Sequence, residues 1–381
     1  MPGVGRWRGL PREGRRMSTH PVEQSRQSVA TRPVILGVVG DSAAGKTTLT
    51  RGLVRALGEG AVAHIATDDY HKFDRRRRAE LGITPLNPDC NYLDIMAQHL
   101  ALVRAGEPIL KPVYRHADGT FGPPEYVQPH RFAVVEGLLG YHTPQLRDCY
   151  DVRVYLAPPE GLRRRWKVQR DCSRRGYTTD QVLAELDRRE PDSEVFIRPQ
   201  QVYADIVVTF EAGDAGDVEH LPAQLTLRKG LFHPDLSPLL DAGVGITLED
   251  SADAQVLCIP GRVAPERAAE IEQAIWEWMH FASHLRSERL GEFTVGTDLH
   301  RSESLALVQL LLLYHLATAK AAVALGGVGA RADESSATAG TGRAGEATAA
   351  GESAPTESER EGVATPVPAE SAQNGGETAS A

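Results

Sequence analysis

A glycine-rich segment near the start of the chain has residue types and spacing suited to binding phosphate. It runs Gly40-Asp41-Ser42-Ala43-Ala44-Gly45-Lys46-Thr47 and continues into Thr48. Glycines let successive backbone N–H groups point at one anion, and the start of a helix adds its partial positive charge. In this pattern Lys46 reaches the β- and γ-phosphates, and the Thr47 hydroxyl can bind Mg²⁺. Residues 40–48 therefore predict a site for a nucleoside triphosphate such as ATP.

Two acidic residues end later apolar runs and complete the chemistry that such a loop needs. Three classes share the loop, namely motors and other ATPases, GTPases, and small-molecule kinases; the absence of an Asn-Lys-x-Asp motif disfavours a GTPase. Asp68 is placed to act as the base that a kinase needs near its acceptor hydroxyl. Glu136 has the position of the second acid, which holds Mg²⁺. The alternatives are a helix cap or turn residue for Asp68 and a structural salt bridge for Glu136.

One basic segment follows each of these acids along the chain. In the run Arg75–Arg78 one guanidinium suits a substrate phosphate, whereas most of the run fits a solvated surface. Residues 160–176 are arginine-rich, and a helix there places Lys167, Arg170, Asp171 and Arg174 on one face. Such a helix suits a lid that excludes water and offsets the charge of a transferring phosphoryl group. A charged surface helix is the alternative.

The apolar periodicity indicates the elements that must position these residues. Strands are predicted at Val34–Val39, Ala61–Ala66, Phe132–Val135, Val152–Ala157 and Asp205–Phe210. Helices are predicted at Thr47–Leu57, Tyr92–Arg104, Glu160–Arg175 and Thr179–Arg189. This alternation predicts an α/β fold of the P-loop NTPase type, with a doubly wound, mainly parallel sheet. After about residue 211, strands at Gln224–Leu227 and Ala254–Ile259 and helices at Pro265–Leu290 and Glu303–Leu325 predict an appended smaller C-terminal α/β subdomain.

Composition divides the chain into four parts. They are a disordered Arg-rich extension (1–32), a P-loop kinase domain (33–212), the C-terminal subdomain (213–326) and a disordered acidic Ala/Gly/Glu/Ser/Thr tail (327–381). Of the net charge of −9, residues 1–32 carry +5, residues 33–330 carry −8 and the remainder −6. The acidic central part argues against a nucleic-acid surface. Met17 is an alternative start of the chain.

Two further features bear on localisation. The most apolar segment, Leu305–Leu325, contains Gln309, His315 and Lys320, so it predicts a buried helix rather than a membrane span. The four cysteines are scattered and form no C-x-x-C pair. Reduced thiols in a cytoplasmic protein are the simplest interpretation.

Several segments, taken in chain order, resemble one family. They are the phosphate-binding loop, Asp68-Asp69-Tyr70-His71, Lys111-Pro112-Val113-Tyr114-Arg115-His116, Pro123-Pro124-Glu125, Val135-Glu136-Gly137-Leu138 and Lys167-x-x-Arg170-Asp171-x-x-x-Arg175-Gly176. Together they resemble the phosphoribulokinases, within the larger phosphoribulokinase and uridine kinase group, over about residues 33–210. The last spacing is the most specific, since uridine kinases lack it in this form.

The resemblance implies an activity and a role for each matching residue. The activity is Mg·ATP-dependent phosphorylation of the 1-hydroxyl of D-ribulose 5-phosphate to ribulose 1,5-bisphosphate, by a homodimer. Implied catalytic residues are Asp68 as base, Lys46, Asp171, Lys167, Arg170 and Arg175. Implied metal-binding residues are Thr47, Glu136 and Asp171, and implied substrate-binding residues are His71, Arg75, Tyr114 and His116. Plant and cyanobacterial members carry a regulatory cysteine pair where this chain has Ala44 and Ala66, so that thiol switch is not available here.

Two other functions stay open. One is a related kinase that acts on a nucleoside or another sugar phosphate. The basic cluster from His71 to Arg78 instead favours an acceptor that already bears a phosphate. The other is a nucleotide-binding regulatory or scaffold protein that has kept the fold. The presence of Lys46, Asp68 and Glu136 together argues against a protein that has lost its chemistry.

Overall fold

The computed structural model describes residues 32–213, 217, 219–241, 243–285, 287 and 289–327. The predicted disordered segments therefore lie, except for Arg32 and Gly327, outside the described residues. The strands are β1 Val34–Gly40, β2 Val62–Ala66, β3 Ile109–Arg115, β4 Thr120–Val127, β5 Phe132–Gly137, β6 Val152–Leu156, β7 Ile206–Phe210, β8 Ala223–Arg228, β9 Thr247–Asp250, β10 Ala254–Ile259, β11 Glu292–Val295 and β12 Asp298–Arg301. The helices are α1 Lys46–Leu57, α2 Arg75–Leu81, α3 Leu93–Ala105, α4 Pro144–Arg147, α5 Glu160–Arg175, α6 Thr179–Asp192, α7 Pro265–Trp278 and α8 Glu303–Ala324.

Eight strands form the main sheet, in the order β2-β5-β1-β6-β7-β8-β10-β9. The first five pair in parallel, and the last three add antiparallel pairs at one edge. Every residue of β1 and β5 is buried, which explains why their sequences are almost uninterrupted apolar runs rather than alternating ones. The predicted α/β fold with a mainly parallel sheet is confirmed.

The C-terminal α/β segment is present, but three of its strands, β8, β9 and β10, extend the main sheet. β8 pairs with β7, so the predicted division at residues 212/213 falls within a loop of one continuous sheet. The predicted helix from Pro265 to Leu290 is wrong in its second half. α7 ends at Trp278 and is followed by a 3₁₀ segment, His280–Leu285. That segment is built mostly from weak helix formers, so apolar spacing alone overstated the length of the helix.

Two hairpins, β3–β4 and β11–β12, are not predicted by the sequence pattern. Pro112 lies inside β3, and Pro123 and Pro124 lie inside β4, where proline normally argues against a strand. The two strands form a sheet of their own outside the main one, and they pair with an irregularity between Lys111 and Val113. An isolated two-stranded sheet tolerates these prolines because it lacks a second neighbour that needs their missing N–H groups.

Helix α8 is long and apolar enough to cross a membrane by length and composition, but it belongs to the core. Most of its residues are buried, against α1, α7 and the sheet. The predicted buried helix is thus confirmed. Its one fully buried amide, Gln309, donates to the carbonyl oxygen of Leu49 in α1 (3.2 Å) and accepts from the N–H of Gly291 (2.8 Å).

Gln309 explains a glycine inside helix α1. A Cβ atom added to Gly52 would lie 2.1 Å from Nε2 of Gln309. We expect Gly52→Ala to lower the free energy of unfolding by about 1–3 kcal/mol, because the packed amide must move. The matched control is Gly161→Ala in α5, where a Cβ meets nothing within 4 Å. That variant should be stabilised by about 0.5–1 kcal/mol, the ordinary helix preference of alanine. Urea unfolding measures both, and a stabilised Gly52→Ala protein would contradict the packing argument.

Candidate active site

A cleft of 1380 Å³ lies at the carboxyl ends of the parallel strands. Its walls come from the segment after β1, the segment after β2, the end of β5, helices α5 and α6, and the β11–β12 hairpin. Ligand sites of open α/β sheets occupy this edge, because the loops that follow parallel strands all converge there. The predicted site residues that line the cleft are Ser42–Thr48, Asp68, His71, Arg75, Tyr114, His116, Glu136, Lys167, Arg170, Asp171 and Arg175.

The phosphate-binding loop connects β1 to α1. Gly45 precedes the helix with a φ of 94°, and Ala43 is the one described non-glycine residue with a positive φ, 66°. The Lys46 ammonium donates to the carbonyl oxygens of Gly40 (2.8 Å) and Asp41 (2.7 Å). Burial lowers the pKa of Lys46, although nearby carboxylates oppose this. Gly40 and Asp41 thus hold the lysine through their carbonyls, and the Asp41 carboxylate accepts from Ser193 at 2.5 Å.

Glu136 meets the first turn of α1. Its carboxylate lies 3.1 Å from the Thr47 hydroxyl, accepts from Thr50 at 2.8 Å, and lies 3.3 Å from His64. Burial would raise the pKa of Glu136, but the His64 and Thr50 contacts and the charge of Lys46 hold it below its usual value. An ionised carboxylate beside a hydroxyl is an oxygen donor set of the kind that Mg²⁺ prefers. The structure therefore brings Thr47 and Glu136 together as predicted.

Asp68 lies in the 3₁₀ turn Thr67–Tyr70 that follows β2, and its side chain is 30% exposed in the cleft. His116 Nε2 lies 3.6 Å from its carboxylate. Burial opposes ionisation, yet His71, His116 and Lys46 together hold the pKa of Asp68 below its usual value. Asp68 is thus a partly exposed, ionised carboxylate that faces the same cleft as the loop lysine, which is the placement that a base requires.

Asp69 has a different environment from its neighbour. It is buried, forms an ion pair with the buried ammonium of Lys111, and accepts from the backbone N–H of Tyr114 (2.8 Å). These contacts fasten the β3–β4 hairpin to the end of β2. Tyr114 and the neighbouring His116 are thereby held against the cleft.

Aromatic and basic side chains form the wall next to Asp68. The Tyr114 ring packs edge-on against His71 (4.9 Å between centroids) and His116 (5.1 Å). His71 is buried and bonded to Asn91 at 2.7 Å, and burial lowers its pKa. Arg75 donates to the carbonyl oxygen of His116 at 2.5 Å. All four predicted substrate-binding residues therefore lie together.

Among the cleft arginines that the predicted site residues leave out are Arg78 and Arg189. Arg78 is buried, donates to the Tyr114 hydroxyl at 2.5 Å and packs over that ring. Arg189 comes from α6, pairs with Glu185, and has its pKa lowered by burial. Its Nε is a buried donor that has no hydrogen-bond partner among the described residues. The sequence offers Arg78 only as one member of the basic run Arg75–Arg78, and nothing in it singles out Arg189.

The predicted lid residues on α5 form one ion-pair cluster. Asp171 contacts Lys167 at 2.8 Å, Arg170 at 2.9 Å and Arg175 at 3.5 Å. Despite partial burial, these cations lower the pKa of Asp171 to about 2. Both its oxygens face cations here, so the role of Asp171 as a metal ligand stays a prediction. Across the described part of the chain, no cluster of three or more His, Cys, Asp or Glu residues is arranged to hold a metal ion.

The lowered pKa of Lys167 predicts that activity falls at alkaline pH. Burial, with Arg170 beside it, lowers its pKa to about 8, although the ion pair with Asp171 opposes this. The ammonium is therefore charged below about pH 8 and is lost as the pH rises through that value. If this charge stabilises the transferring phosphoryl group, kcat should fall above about pH 8. In Lys167→Arg the decrease in kcat at alkaline pH should move to higher pH, because a guanidinium stays charged. An identical decrease in kcat at alkaline pH in both proteins would assign that decrease to another titrating group.

Comparisons with known proteins agree with this geometry. Residues 35–214 match the Phosphoribulokinase / Uridine kinase family. A phosphoribulokinase of Synechocystis sp. is 40% identical over 177 residues, covering 46% of this chain and 53% of the relative. The chloroplastic phosphoribulokinase of Triticum aestivum is 32% identical over 248 residues, covering 58% and 61%. A uridine kinase of Oceanobacillus iheyensis is 33% identical over 181 residues, covering 46% of this chain and 86% of the relative.

One solved structure is similar over a longer range. A phosphoribulokinase from Rhodobacter spheroides is 19% identical, with a TM-score of 0.48, covering 68% of this chain and 99% of that one. The chain spans about half to three fifths of the length of the Synechocystis and Triticum aestivum relatives.

Proposed function

The chain belongs to the phosphoribulokinase and uridine kinase family, and we propose that it transfers the γ-phosphoryl group of ATP to the 1-hydroxyl of D-ribulose 5-phosphate. The product is D-ribulose 1,5-bisphosphate. The similarity to phosphoribulokinases supports this choice within the family. The ion-pair cluster of Lys167, Arg170, Asp171 and Arg175 also supports it. The spacing of these four residues in the sequence is the feature most specific to that branch. The proposal includes a cytoplasmic enzyme that forms a homodimer.

The observation that carries the proposal is the concentration of cations beside the base. Arg75, Arg78 and Arg189 line the same wall as Asp68, together with His71 and His116. Arg189 keeps a buried N–H donor without a partner among the described residues, and such a donor costs free energy unless a ligand satisfies it. Guanidinium groups match the geometry of phosphate oxygens. An uncharged nucleoside offers no such oxygens, so this wall favours a phosphorylated acceptor.

The residues of the cleft have separate roles in the proposed reaction. The Asp68 carboxylate accepts the proton of the acceptor hydroxyl as that oxygen attacks in line. Lys46 and the backbone N–H groups of the loop hold the β- and γ-phosphates. Thr47 and Glu136 would hold Mg²⁺, which supplies positive charge to the phosphate oxygens. Lys167 and Arg170 on the lid offset the charge that is spread over the transferring group.

The test is ATP consumption with Mg²⁺ in the presence of ribulose 5-phosphate, ribose 5-phosphate, uridine or no acceptor. We expect turnover with ribulose 5-phosphate alone, at roughly 1–100 per second. Turnover with uridine would move the protein to the nucleoside branch and make the basic wall a surface feature. ATP binding without turnover on any acceptor would favour a regulatory or scaffold protein. Sedimentation of the same preparation tests the homodimer.

A further inference from the structure

The cleft continues past the phosphate-binding loop on the side away from Asp68. In the sheet, β2, which leads to Asp68, lies two strands from β1 in one direction, and β7 lies two strands from β1 in the other. Phe210 at the end of β7 and Leu221 before β8 line the cleft on this second side. In-line transfer places the acceptor and the rest of the nucleotide on opposite sides of the γ-phosphate. The nucleoside of a donor that reacts near Asp68 therefore extends toward β7.

The β11–β12 hairpin forms the outer wall of this part of the cleft. The residues that it contributes are Glu292, Phe293, Thr294, Val295 and Gly296. Phe293 is partly buried against the main core and stacks on His300, with 5.5 Å between the ring centroids. His300 is bonded in turn to Glu219, in the loop that joins β7 to β8, at 2.6 Å. Apolar and aromatic groups of this kind bind the face of a nucleobase.

The hairpin is fixed to the helix that carries the phosphate-binding lysine. Arg55 of α1 donates to the Glu292 carboxylate at 3.1 Å and to the Glu292 carbonyl oxygen at 2.9 Å. Gln309 bonds Gly291, the residue before the hairpin, and also Leu49 in α1. The wall and the phosphate site are thus held at a constant separation, as a ligand that spans both requires.

We infer that the β11–β12 hairpin is the nucleoside wall of the donor site, with Phe293 and Val295 in contact with the base of a nucleoside triphosphate. This inference rests on the proposed kinase function and goes beyond it, because it assigns a binding surface to residues outside the matched range 35–214. It also gives the C-terminal part of the chain a role in the reaction. Phe293 and Val295 bind the donor and take no part in phosphoryl transfer.

Binding of ATP compared with inorganic tripolyphosphate, which lacks the nucleoside, tests this assignment in the full-length protein. Phe293→Ala and Val295→Ala are the variants. The control is Leu299→Ala, on the same hairpin, whose side chain is 63% exposed and does not line the cleft. Loss of a base contact should weaken ATP binding by about 5- to 150-fold in Phe293→Ala, with a smaller effect in Val295→Ala. Tripolyphosphate should bind all four proteins within about twofold, which also shows that the variants are folded.

Each outcome of this comparison decides a separate point. Selective loss of ATP affinity in Phe293→Ala and Val295→Ala, but not in Leu299→Ala, supports the inference. Unchanged ATP affinity in both variants overturns it and leaves the kinase proposal intact. An equal loss of ATP and tripolyphosphate affinity also overturns it, because the hairpin would then act on the fold of the loop. Failure of the unmodified protein to bind ATP would overturn the proposed function itself.

Discussion

Asp68→Asn should lower kcat by about 10²–10⁴-fold, the usual contribution of a general base. Asparagine has nearly the same shape, but its amide cannot accept the proton of the acceptor hydroxyl. Asp68 lies in the cleft, with His116 at 3.6 Å and Lys46 acting on it electrostatically, and its low pKa keeps it ionised at neutral pH. The substitution should leave ATP affinity and the free energy of unfolding close to those of the unmodified protein. A variant that keeps more than a few per cent of the activity would exclude Asp68 as the base.

The adjacent carboxylate provides a control that separates chemistry from stability. Asp69→Asn weakens the ion pair with buried Lys111 and leaves that charge with Glu125 at 3.5 Å. We expect the free energy of unfolding to fall by about 3 kcal/mol, because a buried charge loses its main partner. The kcat of the folded fraction should fall far less than in Asp68→Asn. Unfolding in urea and initial rates, measured on both proteins, distinguish the two residues.

The features that the sequence predicts well are those that depend on short stretches of chain. The phosphate-binding loop needs only a strand, a glycine-rich turn and a helix start, all within Val34–Leu57. Asp68 and Glu136 follow from the rule that parallel strands end at one edge of the sheet. The structure places Glu136 beside Thr47 at 3.1 Å because β5 is the immediate neighbour of β1.

The features that the sequence does not predict depend on contacts between distant segments. Arg76 and Arg77 pair with Glu80 at the surface, as a solvated basic run should, but Arg78 turns into the cleft beneath Tyr114. The different positions of Arg78 and of Arg76 and Arg77 depend only on where the β3–β4 hairpin, which carries Tyr114, lies. Arg189 reaches the cleft because α6 packs beside α5. Neither packing leaves a periodic signal in the sequence.

Lys46→Met should produce the second large effect, a loss of about 10²–10³-fold in kcat, comparable with the loss of one preorganised donor to a developing charge. An ammonium has three N–H bonds. Lys46 directs two of them to the carbonyl oxygens of Gly40 and Asp41 and can donate a third to the phosphates. Methionine keeps an unbranched apolar stem and is shorter than lysine by one heavy atom, so the loop should retain its shape while the charge is lost.

The measurements for Lys46→Met separate phosphate binding from acceptor binding. Affinity for tripolyphosphate should fall together with kcat, because both depend on the ammonium at the loop. Affinity for ribulose 5-phosphate should stay within about twofold, since its proposed contacts with Arg75, Arg78 and Arg189 lie on the β2 side of the cleft. A protein with unchanged tripolyphosphate affinity and kcat within tenfold of the original would contradict the role of the loop. Loss of ribulose 5-phosphate affinity alone would instead place Lys46 in the acceptor site. The hydrogen bonds from Lys46 to the carbonyl oxygens of Gly40 and Asp41 argue against that placement, because they hold the lysine over the end of β1.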